Sequence, residues 1–382
     1  MFRSHSHDRA VQLHRATATT TTEIDTTAGL ESALAAATRT MAGWQVQDLD
    51  LAPYEAALED LDPRGALFLG CRMSEPFAER LRTGGALVFP TLPDLPFDPW
   101  RTALYTPAEL YDGLPDGYGH TPDAVIYAWA TAAGPTGPHD LRHLLAVALH
   151  DNSIDDALEE LTRDRPTVGV MGGHALRRTD PAYLRAAVLG HDLAAQGLSV
   201  ATGGGPGAME AANLGARLSG EPRTVLEGVV RAIGSVPGFE DDVTAWADIA
   251  LDAVRDLPDS GRSLGIPTWY YGHEPPNPFC SAVAKYFRNA IREDVLLSVS
   301  RRGIVFLPGA AGTVQEVFQA ACTNYYATPE HVAPMVFVGT EYWTSTVPVW
   351  PLVSSLATGR SFESRLHLVE EEADVLPALL QQ

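Results

Sequence analysis

Two glycine clusters, one glutamate and two arginines are the residues whose types and spacing could do chemistry. The first cluster is Gly203-Gly204-Gly205-Pro206-Gly207, followed closely by Met209 and Glu210. The second is Pro308-Gly309-Ala310-Ala311-Gly312-Thr313, followed by Glu316. Each comes straight after a short apolar run and opens a helical pattern. Glycine lets the backbone turn sharply and approach an anion closely, and the free N–H groups and dipole of the following helix favour negative charge. Thr313 adds a hydroxyl donor at the first turn. Tight turns alone also require glycine, so one such cluster reads equally as a turn or a phosphate loop; two in one sheet favour the phosphate.

Glu316 lies one turn into a helix whose N-terminus is assigned to the anion. A carboxylate there cannot be the anion's partner, but it could sit beside a sugar, where glycosidic cleavage develops positive charge. The other reading is a helix N-terminal carboxylate favoured by the dipole. Arg288 and Arg292 are four residues apart, which on one helix puts them on one face. They could grip a phosphate or form a surface ion-pair ladder with Glu293 and Asp294. The aromatic and proline-rich stretch Trp269 to Pro278, including His273, is either a rigid loop that stacks on a base or an ordered connection.

The rest of the composition excludes classes. The 382 residues are 45% hydrophobic and 20% charged, with a formal net charge of −21. Such a balance opposes sequence-independent binding of nucleic acid. No apolar run is long enough to span a membrane, and no secretory signal is recognisable, so a soluble, cytoplasmic protein is expected. Cys71, Cys280 and Cys322 form no metal-ligand spacing; buried thiols are expected, with no metal and no cofactor. Lys285 is the single lysine. There is no Gly-Lys pair for a P-loop, and pyridoxal chemistry would rest on Lys285 alone. Gly172-Gly173 lacks the dinucleotide fingerprint GxGxxG.

The elements that must position these groups are legible in outline. Residues 1–28 read as a polar, threonine-rich disordered tail, and 29–163 as an accessory α/β region. Within the latter, Ala66–Leu69, Ala86–Phe89 and Ala124–Ala130 read as strands, Gly134–His139 as a turn and Leu141–Leu161 as a helix. Residues 164–382 show the rhythm of an α/β, Rossmann-like, doubly wound parallel sheet. Strands are expected at Thr167–Met171, Ser199–Thr202, Thr224–Ile233, Gly303–Leu307 and Met335–Val338. Helices are expected at Pro181–Gln196, Ala208–Leu218, Cys280–Val299 and Val314–Tyr325. In such sheets ligands bind at the carboxyl ends of the strands, where the glycine clusters lie.

The loops Gly203-Gly204-Gly205-Pro206-Gly207-Ala208-Met209-Glu210 and Pro308-Gly309-Ala310-Ala311-Gly312-Thr313-Val314-Gln315-Glu316 resemble the GGG-rich loop and PGGxGTxxE motif of the Lonely Guy (LOG) family. Members of that family were long mislabelled lysine decarboxylases. The resemblance covers the chain from about Arg165 onward, and the long N-terminal region is similar to the larger bacterial nucleotide 5′-monophosphate nucleosidases. It implies an enzyme, an N-glycosidase that converts a nucleoside 5′-monophosphate (AMP-like, or a cytokinin nucleotide as in cytokinin activation) to free base and ribose 5-phosphate. The family's catalytic glutamate falls on Glu316. Its arginine falls on Arg292 with a one-residue insertion, and Arg288 is held in reserve. Candidate substrate contacts are Gly173, Gly203, Gly204, Gly205, Gly207, Met209, Glu210, Arg288, Gly309, Ala310, Gly312 and Thr313. The chain departs from the motif at Ala310 and Gln315. A homo-oligomer without nucleic-acid or membrane partners is implied, and the alternative is a non-catalytic nucleotide-binding regulatory protein.

Overall fold

The computed structural model describes residues 21–37, 39–132, 141–270 and 274–380. The chain divides into two compact units, Met1–Asp94 and Leu95–Gln382. The sequence reading places its accessory region over 29–163, whereas residues 95–132 and 141–163 belong to the larger unit.

The smaller unit is a parallel sheet of β1 (Thr22–Ile24), β2 (Trp44–Gln47), β3 (Leu67–Leu69) and β4 (Leu87–Phe89), paired in that order. Most of the expected tail, residues 1–20, lies outside the described residues, but Thr22–Ile24 pair in register with Trp44–Val46. Helices Thr27–Ala36 and Glu75–Thr83 start where Thr26 and Ser74 accept hydrogen bonds from the N–H groups of Gly29 and Phe77, the capping that ends an extended segment. Leu30, Val46, Leu58, Phe68 and Leu81 form the centre of its core.

The larger unit holds seven strands: β5 (Thr167–Met171), β6 (Ser199–Thr202), β7 (Ser263–Gly265), β8 (Ala282–Val283), β9 (Ile304–Phe306), β10 (Met335–Val338) and β11 (Leu366–Val369). They are parallel, in the order β11-β10-β9-β5-β6-β7-β8. The doubly wound sheet is therefore as expected. Every residue of β5, β6, β9 and β10 is buried, as a sheet covered on both faces requires. On one face Val168, Val170, Val200, Val305 and Val336 pack with the helices Pro181–Ala195, Ala208–Arg217 and Arg223–Ile233. On the other, Phe337 meets Phe306, Trp343 and Trp350 at centroid distances of 4.9, 5.5 and 5.5 Å.

Three segments differ from expectation. Arg223–Ile233 is a helix, not a strand: Leu226, Val229, Val230 and Ile233 are its buried residues, a spacing of three and four that buries one helical face. Pro122–Thr131 is a helix in which Pro122 occupies the first turn and Thr121 accepts from Ala124 N–H, overriding the apolar run read as a strand. Cys280–Val299 is not one helix. Leu264 and Gly265 draw Ala282 and Val283 into the sheet, the chain stays extended through Tyr286, whose N–H donates to Pro267 O, and the helix begins at Asn289. Cys71 and Cys280 are buried as expected, but Cys322 is exposed. The turn over Gly134–His139 lies outside the described residues.

Candidate active site

The chain order reverses between β5 and β9: β5 leads outward through β6 to β8, and the chain returns to β9 on β5's other side. Loops leaving two adjacent strands in opposite directions open a crevice at their carboxyl ends. Here it is a cleft of about 830 Å³, floored by Gly172 and Gly173 after β5, Gly203 and Gly205 after β6, and Pro308 to Thr313 after β9.

The loop geometry is fixed by backbone contacts. Gly207 has φ +74°, and a Cβ there would stand 2.5 Å from Gly173 O and 2.6 Å from His174 O, so no other residue fits without moving the β5 loop. Asn277 holds the same loop from outside, donating its N–H to Gly204 O (2.8 Å) and its amide to Gly205 O (3.1 Å). On the β9 side, Gly173 N–H donates to Pro308 O and the Tyr342 hydroxyl to Gly309 O at 2.7 Å. The helix Ala311–Tyr326 has no side-chain cap at Ala310. Its first-turn N–H groups lack intrahelical acceptors, and Ala311, Gly312 and Thr313 line the cleft. That end of the cleft is suited to an anion.

Glu316 comes one turn later, with a side chain only 8% exposed. Its Oε1 lies 3.5 Å from Arg292 Nη1. Arg292 is held in place by donating from Nε to Ile266 O (2.8 Å) and from Nη2 to Gly203 O (3.4 Å). A Cβ on Gly203 would come within 2.3 Å of that guanidinium, so the glycine admits the arginine as much as any ligand. Glu293 Oε1 lies 2.7 Å from the same Nη1. Burial raises the Glu316 carboxyl to about 8; Arg292 opposes the rise and the neighbouring Glu293 adds to it. A buried carboxyl that keeps its proton near neutral pH is suited to proton transfer. The helix bearing Arg292 is anchored at its start by Asp151, whose carboxylate accepts the N–H groups of Phe287 and Arg288 at 3.0 and 3.2 Å. Among the described residues lining the cleft, Arg292 is the sole arginine or lysine.

Of the residues singled out from sequence, Gly173, Gly203, Gly205, Met209, Arg292, Gly309, Ala310, Gly312, Thr313 and Glu316 all line this cleft. Gly204 and Gly207 shape the loop and do not line it. Glu210 is turned away from the cleft: Arg178 grips it from Nη2 and Nε at 2.6 and 2.9 Å, both side chains being 1% exposed. Arg288 is exposed at the helix N-cap and does not share Arg292's placement. Trp269 is buried against Tyr105, His150 and Phe287 and offers no stacking platform in the cleft; His273 lies outside the described residues. Lys285 is buried on Asp123 at 2.6 Å. Sequence reasoning gave no role to Asn277, Asp151 or Tyr342, whose contacts depend on tertiary partners, and read Glu293 as part of a surface ion-pair ladder, whereas its pair with Arg292 is buried in the cleft. The adjacent Arg292-Glu293 pair was the one local signal.

Residues 165–237 match the model of the SLOG cluster4 family. That stretch takes in β5, β6 and the Gly203–Gly207 loop. Among solved structures, the chain is similar to a molybdenum cofactor binding protein from the phototrophic bacterium Rippkaea orientalis, with 18% identity and a TM-score of 0.36 over 56% of this chain and 94% of that one. It is also similar to a Moco carrier protein from Chlamydomonas reinhardtii, with 20% identity and a TM-score of 0.35 over 57% and 96% of the two chains. No curated protein matches.

Proposed function

We propose that the cleft hydrolyses the N-glycosidic bond of a nucleoside 5′-monophosphate, AMP or a related purine or cytokinin nucleotide, to free base and ribose 5-phosphate. The observation that carries this reading is the buried Glu316, 3.5 Å from Arg292, one turn beyond an uncapped helix N-terminus in the same cleft. The phosphate sits on the main chain of Gly309 to Gly312 and on the Thr313 hydroxyl, where the helix dipole favours its charge. Arg292 orients the phosphoribosyl group. Glu316 lies beside C1′, where it positions the attacking water and takes part in proton transfer. The resemblance of both glycine loops to the LOG motifs supports the reading, and the SLOG cluster4 match supports it at the first loop; Pro308–Glu316 lie beyond the matched residues.

Purified protein incubated with a panel of nucleoside monophosphates is expected to release free base, measured chromatographically, with ribose 5-phosphate in equal amount. Tight nucleotide binding in a calorimeter with no base released from any member of the panel would overturn hydrolysis and identify a non-catalytic nucleotide-binding protein instead.

A further inference from the structure

Two buried glutamates share one guanidinium in this cleft. Glu293 and Glu316 approach the same nitrogen, Arg292 Nη1, at 2.7 and 3.5 Å, while the other two guanidinium nitrogens donate to backbone carbonyls. Their side chains are 5% and 8% exposed, and both residues line the cleft. One positive charge therefore faces two carboxyls. The second oxygen of Glu293 is buried and has no hydrogen-bond partner among the described residues. A buried acceptor without a donor is costly, and so is a second carboxylate beside one already ionised. A single proton on the pair relieves both.

We propose that Glu293 is a second catalytic carboxyl, and that Glu293 and Glu316 hold one proton between them which is delivered to the departing base. This rests on the hydrolytic reading above. As the C1′–N bond breaks, its electron pair goes to the base nitrogen, which takes the shared proton. The water oxygen bonds to C1′, and its proton passes to the carboxylate pair. The pair ends as it began, and water is the one co-reactant. The raised Glu316 carboxyl agrees with a proton kept to about pH 8. The other titratable groups around the cleft, besides Arg292, are His174, Asp180, Glu274, Tyr342 and Glu372; His174 is paired with Glu274 at 3.1 Å, and the Tyr342 hydroxyl donates to Gly309 O. Two carboxyls splitting acid and base duties is a division of labour that glycosidic cleavage uses widely.

The test combines infrared titration of the full chain with pH profiles for AMP. The wild type is expected to show a protonated-carboxyl stretch at neutral pH that disappears near pH 8 and is missing from both Glu316→Gln and Glu293→Gln. Glu293→Gln is expected to lose about 10²-fold in kcat, the scale of one general acid, with KM little changed and the profile shifted to lower pH. Glu293→Asp should recover part of the rate. A wild-type kcat and pH profile in Glu293→Gln overturns the proposal. So does a wild-type spectrum without that carboxyl band, which needs no variant to fold. A wild type that releases no base refutes hydrolysis, and proton delivery with it; the infrared titration then decides by itself whether the pair shares a proton.

Discussion

Glu210 and Glu316 start from the same local plan: a buried parallel strand, a glycine cluster, and a glutamate in the opening turns of the helix that follows. Their surroundings then diverge. Glu210 is enclosed, with two short bonds from Arg178, which itself donates to Trp246 O at 3.1 Å and packs on the Trp246 ring at 4.8 Å. Glu316 faces a cleft and shares its arginine with a competing carboxyl. Burial pushes both carboxyls above their ordinary value, and an arginine opposes it in each. What separates them is whether the partner is dedicated. A dedicated arginine, with two nitrogens on one carboxylate oxygen, makes a structural tie. A shared one leaves a carboxyl whose proton is available.

The sharpest way to break this contrast is to neutralise each side in turn. Glu316→Gln is expected to cut kcat by about 10²–10⁴-fold while leaving the thermal transition in place, measured by base release and calorimetry on one preparation. Arg178→Met should do the reverse. It strands a buried carboxyl, costs about 3–5 kcal/mol in chemical denaturation, and spares activity per folded molecule; a loss of turnover without loss of stability would erase the distinction. The pH dependence follows next. Because the folded chain holds the Glu316 proton to about pH 8, and the unfolded chain releases it in the ordinary carboxylate range, the folded state binds more protons between those limits. Stability therefore falls as pH rises through that window, and Glu316→Gln flattens the fall in a series of denaturation curves. The smallest effect is expected at Thr313→Val. Loss of one hydroxyl donor to a charged group removes about 1.5–3 kcal/mol and raises KM by about ten- to a hundredfold, with kcat nearly kept.

Much of this was readable from the chain because fully buried parallel strands are short apolar runs that end in glycine. Thr167–Met171, Ser199–Thr202 and Met335–Val338 are strands over the expected residues. The same reasoning misfired at Arg223–Ile233, where β-branched residues outweighed the spacing of Leu226, Val229, Val230 and Ile233. It misfired at Cys280–Val299, because a two-residue edge strand leaves almost no local trace. In the cleft, the glycine loops announced themselves, and family likeness pointed to Glu316 and Arg292. Glu210 was misread because its fate is decided by Arg178, 32 residues earlier. Glu293 was read as a surface residue because its burial depends on where its helix begins, and Asp151 holds that start from another segment.

The anion end of the cleft is built largely from main chain, Gly309 to Gly312, with the Thr313 hydroxyl beside it. Trimming side chains one at a time, as an alanine scan does, would register such a cradle only at Thr313. Its main-chain part can be disabled only by addition. A methyl group on Gly309 would stand 2.3 Å from the Thr313 hydroxyl, so Gly309→Ala obstructs the cradle where truncation has nothing to remove. Under the proposed function, an atom added to a glycine of this cradle costs more phosphate affinity than an atom removed from the side chains around it.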